Sequence, residues 1–313
     1  MNAKFSFLSL LLLIFLSTQT SFAKDSAEML ALKAVSEDSA EASMAIEDLR
    51  ARGPAGLRIL MNYYAIEIKD HIAYPTATDV HWQRLSAALD AVAQQKNSYI
   101  SGLYWYTDLD AAKKLSAETN KPILSLRLLG KLTDELSCAN SRFFRTVLYS
   151  NADISAFLRD NFVLHWQSVR PVPTVTIDYG DGRRLERTLT GNSIHYILDS
   201  QGRVIEALPG LNGPKVFARW LCNSADVFSK IAGQPERIRE VRLPVYYRFQ
   251  QKLLLNDWTQ ATVEIGGKAP EGFIIEKDAH GALSIAPLAV TKAATETTIL
   301  RAMTQASEAL GRI

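Results

Sequence analysis

Ile123-Leu124-Ser125-Leu126-Arg127-Leu128-Leu129, and then Cys138-Ala139-Asn140-Ser141, are the residues around which this chain organises itself. The first stretch is a short apolar run entered from Asn120-Lys121-Pro122, which reads as a buried strand. Ser137 or Asn140 then starts a helix carrying Phe143, Phe144, Val147 and Leu148. A cysteine at such a helix start lies among N–H groups that lack intrahelical partners, an environment that favours thiolate over thiol. Arg142, one turn later, adds positive field, and Asp134 and Glu135, just before, oppose it. Ser141 stands three residues after Cys138, where a C-x-x-C pair would carry its second sulfur. Two thiols can close an internal disulfide, whereas one thiol must wait for a partner sulfur.

From Leu103 to Cys222 the pattern alternates between helix and strand. Asp108 caps a helix expected over Leu109 to Thr119, and Asp153 caps another through Ile154, Phe157 and Leu158. Phe162 to Trp166 reads as a strand. Thr174 to Tyr179 and Arg184 to Leu189, joined through Gly180-Asp181-Gly182, read as a β-hairpin. Ile194 to Leu198 and Arg203 to Leu208 form a second hairpin, and Lys215 to Leu221 a closing helix. The expected class is therefore α/β with a mixed sheet.

On either side the pattern is helical. In the N-terminal region (24–101), Ala45, Ile46 and Leu49 precede Arg52-Gly53-Pro54, where glycine ends one helix and proline begins the next. Leu57, Leu60, Met61, Tyr64 and Ile68 mark a second apolar stripe, and Trp82, Leu85, Leu89 and Val92 a third. The C-terminal region (231–313) carries a helix from about Pro235 to Thr262 that Pro244 is expected to kink or split. Ile265 to Ile285 is ambiguous, with a small β-element one reading, and Pro287 to Leu310 is helical in pattern.

Composition narrows the function classes. Lys plus Arg at 35 against Asp plus Glu at 33 is too balanced for a nucleic-acid partner. The arginines at 142, 145, 159, 170, 183, 184 and 187 are interleaved with Asp153, Asp160, Asp178 and Glu186, as on a mixed solvated surface. Lys4, the apolar run Phe5 to Leu16 and the small-residue site Ser21-Phe22-Ala23 read as a secretory signal peptide over 1–23. The alternative is an uncleaved membrane anchor. With cleavage, the protein is expected to be soluble and exported, periplasmic or secreted, and to touch membrane only through its leader. Only Cys138 and Cys222 are present, so stability must come from burial rather than disulfides. The histidines, His71, His81, His165, His195 and His280, show no paired metal spacing. No phosphate-binding loop is apparent, and neither metal nor cofactor is expected.

Tyr104-Trp105-Tyr106-Thr107-Asp108 with Lys121-Pro122-Ile123, the strand Ile194 to Leu198 turning at Asp199-Ser200-Gln201-Gly202, and the closing Leu208-Pro209-Gly210 together resemble the thioredoxin-like fold family. The resemblance spans Leu103 to Leu221, and the corresponding domain is placed at 102–230. It implies that Cys138 is the family's reactive position and that Ser141 replaces the resolving cysteine. It also implies that Ser193 stands where the family's cis-proline faces the thiol, so the usual substrate clamp is lost.

Three readings of the chemistry follow. In the first, Cys138 is a lone nucleophile acting on a disulfide, a glutathione adduct or a peroxide, resolved by an external protein or low-molecular-weight thiol. Here Asn140 and Ser141 donate hydrogen bonds to the sulfur, Ser193 borders the substrate and His195 carries a proton. The chain would then be a thiol-disulfide oxidoreductase or thiol peroxidase. In the second, the domain is a redox-inactive binding module whose flanking helices recruit a partner. In the third, Cys138 and His195 form a hydrolase pair, but no orienting Asp or Asn is evident. Cys222, beside Trp220 and Leu221, reads as a buried small hydrophobe, and both thiols are expected to be free.

Overall fold

The computed structural model describes residues 27–75, 79–264 and 266. The leader over 1–23 and the tail from 267 onward lie outside these residues. The structure divides into two compact units, the first ending at Gly233 and the second beginning at Gln234.

The first unit opens with helices. These are α1 (27–33), α2 (Ser39–Ala51), α3 (Pro54–Tyr63), α4 (Ala65–Ala73), α5 (Val80–Ala93) and α6 (Ser98–Ser101). Asp38 caps α2 by accepting from the Ala40 and Glu41 amides, and Pro54 occupies the first turn of α3. The expected stripe is real, with Leu57, Leu60, Tyr64 and Ile68 buried against Leu49, Trp82, Leu85, Leu89 and Val92. It belongs to two helices rather than one, because the backbone leaves helical geometry at Tyr64 (φ −99°, ψ 23°). Close packing of α2 on α3 requires Gly56, since a Cβ there would lie 1.8 Å from the Leu49 carbonyl oxygen.

The α/β portion follows in the expected order. Helix α7 (Leu109–Thr119) is capped by Asp108, which accepts from Asp110 and Ala111, and ends at Asn120 in the left-handed region. Strand β1 (Ile123–Leu129) leads to α8 (Ala139–Phe143), which runs into a π-helical turn (Phe144–Leu148). Then come α9 (Ala152–Asn161), β2 (Val163–Arg170), the separate hairpin β3 (Thr174–Asp178) and β4 (Arg184–Thr188), β5 (Ser193–Leu198), β6 (Val204–Pro209) and α10 (Pro214–Ile231). The four-stranded sheet has the order β2-β1-β5-β6, and β3 and β4 pair only with each other. Strands β1 and β2 are parallel, and β5 runs antiparallel to both β1 and β6. The class is mixed α/β.

Register fixes which side chains share a face. Leu126 lies opposite His195 and Leu128 opposite Ser193, while Ser125 lies opposite both His165 and Tyr196. Ala112 of α7 packs with Ile123, Val163 and Leu198 on the Ser125 face. Phe144, Phe217 and Trp220 crowd His195 on the other. Helix α10 runs well past the expected Leu221, because Ser224, Val227, Phe228 and Ile231 continue the buried face begun by Phe217.

The N-terminal helices and the sheet share the first unit through specific bonds. Arg50 donates to the Val92 and Trp105 carbonyls, the Trp105 indole to Gln95 Oε1 (2.8 Å) and the Trp166 indole to the Gln94 carbonyl (2.8 Å). In the second unit α11 (Glu236–Glu264) is a single helix with Pro244 inside it, so of the kink or split expected at this proline the split does not occur. A proline removes one intrahelical hydrogen bond, and here the ladder on both sides continues the element. Among the described residues no helix is long and apolar enough to cross a membrane.

Candidate functional site

Cys138 is the N-cap of α8, at the point where the chain leaving β1 turns into the helix. Its Sγ accepts the Ser141 backbone N–H at 3.4 Å and faces the Asn192 carbonyl oxygen at 4.0 Å. The residue is 0% exposed. The helix-start position expected from sequence is therefore correct, and the accessibility that a nucleophile needs is missing. Incoming disulfide or peroxide must reach sulfur along an open line, and this sulfur has none in the folded state.

The neighbours depart from their expected roles. Asn140 is not a donor to sulfur; its Nδ2 donates to Ser193 Oγ at 2.9 Å, tying α8 to the start of β5. Ser141 contributes its backbone amide to Cys138, while its hydroxyl is buried without a hydrogen-bond partner. Ser193 does lie at the sulfur's side of the sheet, and its hydroxyl is committed to Asn140. The loop into α8 is held from within. Arg145, 5% exposed, donates from Nη2 to the Asp134 carbonyl (3.2 Å) and to Ser137 Oγ (3.1 Å), and burial lowers its pKa. Thr188, at the end of β4, donates to the Ser137 carbonyl at 3.4 Å.

His195 shares a strand face with Ser193 but does not serve the thiol. Its Nε2 is hydrogen-bonded to the Tyr149 hydroxyl at 2.7 Å, and aromatic rings of Phe144, Phe217 and Trp220 surround it. Burial pushes its pKa down to about 3 and raises that of Tyr149, so near neutrality both groups are uncharged. A histidine this hard to protonate is a poor proton carrier at neutral pH. The Cys–His pair needed for hydrolysis is likewise not assembled. On the opposite face, Ser125 Oγ and His165 Nδ1 are 2.8 Å apart and both buried.

Cys222 overturns its sequence reading. It is exposed on α10, because the buried face follows Phe217, Leu221 and Ser224 and leaves the next position outside. Neither cysteine is in a disulfide. Among the described residues no cluster of three or more His, Cys, Asp or Glu side chains could hold a metal.

The closure over Cys138 comes from the segment that precedes β5. A Cβ on Gly191 would lie 2.2 Å from Asn140 Oδ1 and 3.2 Å from its backbone nitrogen. Sequence reasoning missed Gly191 and Asn192, although a Gly-Asn pair just before a strand is a recognisable turn signal. Gly191→Ala is expected to expel the Asn140 side chain, break its bond to Ser193 and lower stability by about 2 kcal/mol. It should also raise the native-state labelling rate of Cys138, which thiol-specific mass tagging would register. No protein-family model, curated protein or solved structure matches this chain.

Proposed function

We propose that this chain is an exported protein with a thioredoxin-like central domain whose cysteine is a buried structural cap, and that the domain acts as a binding module rather than a redox catalyst. The strand order supports the likeness to that fold. A parallel β1/β2 pair sits beside an antiparallel closing hairpin, with a cysteine-capped helix after β1 and the Gly191-Asn192-Ser193 turn facing the sulfur. The observation that carries the functional reading is the complete burial of Cys138. The fixed partners of Asn140 and His195 reinforce it, since neither is free to assist a reaction at sulfur.

One observation favours the monothiol reading. The Ser141 amide directed at Sγ is the kind of donor that stabilises a thiolate. Under that reading the turn before β5 must open before a disulfide or glutathione adduct can reach Cys138. Incubating the folded protein with oxidised glutathione and mapping the adducts separates the two. The binding module is expected to form its mixed disulfide at exposed Cys222 and to leave Cys138 free. Modification of Cys138 in the folded protein, lost in Cys138→Ser, would restore the monothiol reading.

A further inference from the structure

The corner between α2 and α3, at Arg50-Ala51-Arg52-Gly53-Pro54, faces α7 across a cleft formed by two adjoining cavities of about 480 and 350 Å³. They share Pro54, Tyr104, Tyr106 and Leu115 as a common wall. The cleft lies by Lys121 and Phe162, where β1 and β2 begin, whereas Cys138 follows the other end of β1. A strand of this length separates the two places by roughly 20 Å.

The lining is cationic. Arg50 and Arg52 border the first cavity, and Arg58, Lys121 and Arg159 the second; the acids are Asp108 and Asp160. Among the described residues, none of these five cations has a carboxylate within ion-pair distance, although Lys33, Arg84, Lys96, Lys113 and Arg203 all do. Asp108 is already occupied by the Asp110 and Ala111 amides as the cap of α7. Arg50 is partly buried, its guanidinium 4.2 Å over the Tyr104 ring and held by carbonyls alone. Arg159 donates to the Ser101 carbonyl. These contacts fix two of the charges in place without neutralising them. The first turn of α3 has no side-chain cap and opens on the same cavity, which adds to the positive potential. Pro54, Leu115, Phe162 and Leu164 supply apolar surface beside the cations.

We infer that this cleft binds an organic phosphate, a phosphomonoester head with an aromatic or apolar body. The volume suits a small ligand rather than a peptide chain. Five cations facing two acids select a dianion over a neutral ligand, and guanidinium groups match phosphate oxygens in pairs. The apolar wall lies within the same cleft, so a ligand offering both chemistries gains over free phosphate. The inference does not depend on whether Cys138 is reactive.

Calorimetric titration of the full chain with phenyl phosphate and, separately, with inorganic phosphate tests it. Phenyl phosphate is expected to bind saturably at one site and more tightly than inorganic phosphate. Arg52→Ala and Arg58→Ala, both at exposed positions, should each weaken it about tenfold. Arg187→Ala, on the separate hairpin, should leave it unchanged. Absence of saturable binding would overturn the proposal, as would equal weakening by Arg187→Ala. Capture by phosphatidic-acid vesicles without binding of phenyl phosphate would also overturn it, by making the surface a lipid contact rather than a small-ligand cleft.

Discussion

Acidification from pH 6.5 to pH 4 is expected to remove about 6 kcal/mol of folding stability, enough to unfold many domains of this size. Two buried histidines are responsible. His195 is pushed down to about 3 by burial, and His165 to about 4 by burial and then by the nearby Arg127 charge. Both are 1% exposed. In the unfolded chain each takes up a proton near pH 6.5, so across this window the unfolded state binds more protons than the folded state. Stability therefore rises with pH and is lost as pH falls from the unfolded value toward the folded one. At about 1.4 kcal/mol per pH unit, each histidine contributes roughly 3 kcal/mol by pH 4. Asp90 works in the opposite sense: burial raises its pKa, so acid partly relieves its cost in the fold. Urea midpoints measured from pH 7.5 to 4 should show the loss, and His195→Leu should remove about half of the slope. A flat profile would mean that these two rings are not sealed as described.

Gly56→Ala is expected to cost about 3 kcal/mol and to lower the midpoint of thermal unfolding by roughly 10 °C. The new Cβ would sit 1.8 Å from the Leu49 carbonyl oxygen and 2.6 Å from its carbon. Those atoms belong to the α2 backbone, so no side chain can swing aside. The helices must separate, and with them Leu49, Leu57 and Leu60, each 1% exposed or less. Loss of glycine's freedom in the unfolded chain returns only about 0.5–1 kcal/mol. Gly213→Ser is the comparison, since Gly213 has open space around its Cα and serine is a good helix cap. It should melt within a few degrees of the parent, so a Gly56→Ala protein that matches it would contradict the close α2–α3 packing.

The parts of this structure that local chemistry dictates were readable in the chain. Asp108 and Asn120 bracket α7 because a carboxylate caps one end and a left-handed residue closes the other. The strand β1, the helix start at Cys138 and the turn chemistry of both hairpins follow from the same kind of signal. What escaped detection depends on residues distant in sequence. The shield over Cys138 comes from Asn192, and the partner of His195 is Tyr149. Neither contact leaves a mark in local periodicity. The break at Tyr64 is hidden because Tyr64 and Ile68 keep the apolar spacing of Leu57, Leu60 and Met61 across it. Cys222 is a different case: Phe217, Leu221 and Ser224 already define a face that excludes it, so the helical period was sufficient to place it outside.

The accessibility of one sulfur decides between a scaffold and a catalyst. In a Cys222→Ser background, Cys138 is the sole thiol, and its reaction with iodoacetamide can be followed by mass in native buffer and in denaturant, at pH 6 and at pH 8. The structure predicts native labelling at least about a thousandfold slower than in denaturant at either pH, accelerating only as urea opens the fold. Rapid labelling of the native protein at pH 6 would contradict the account, because it requires an exposed thiolate at the head of α8.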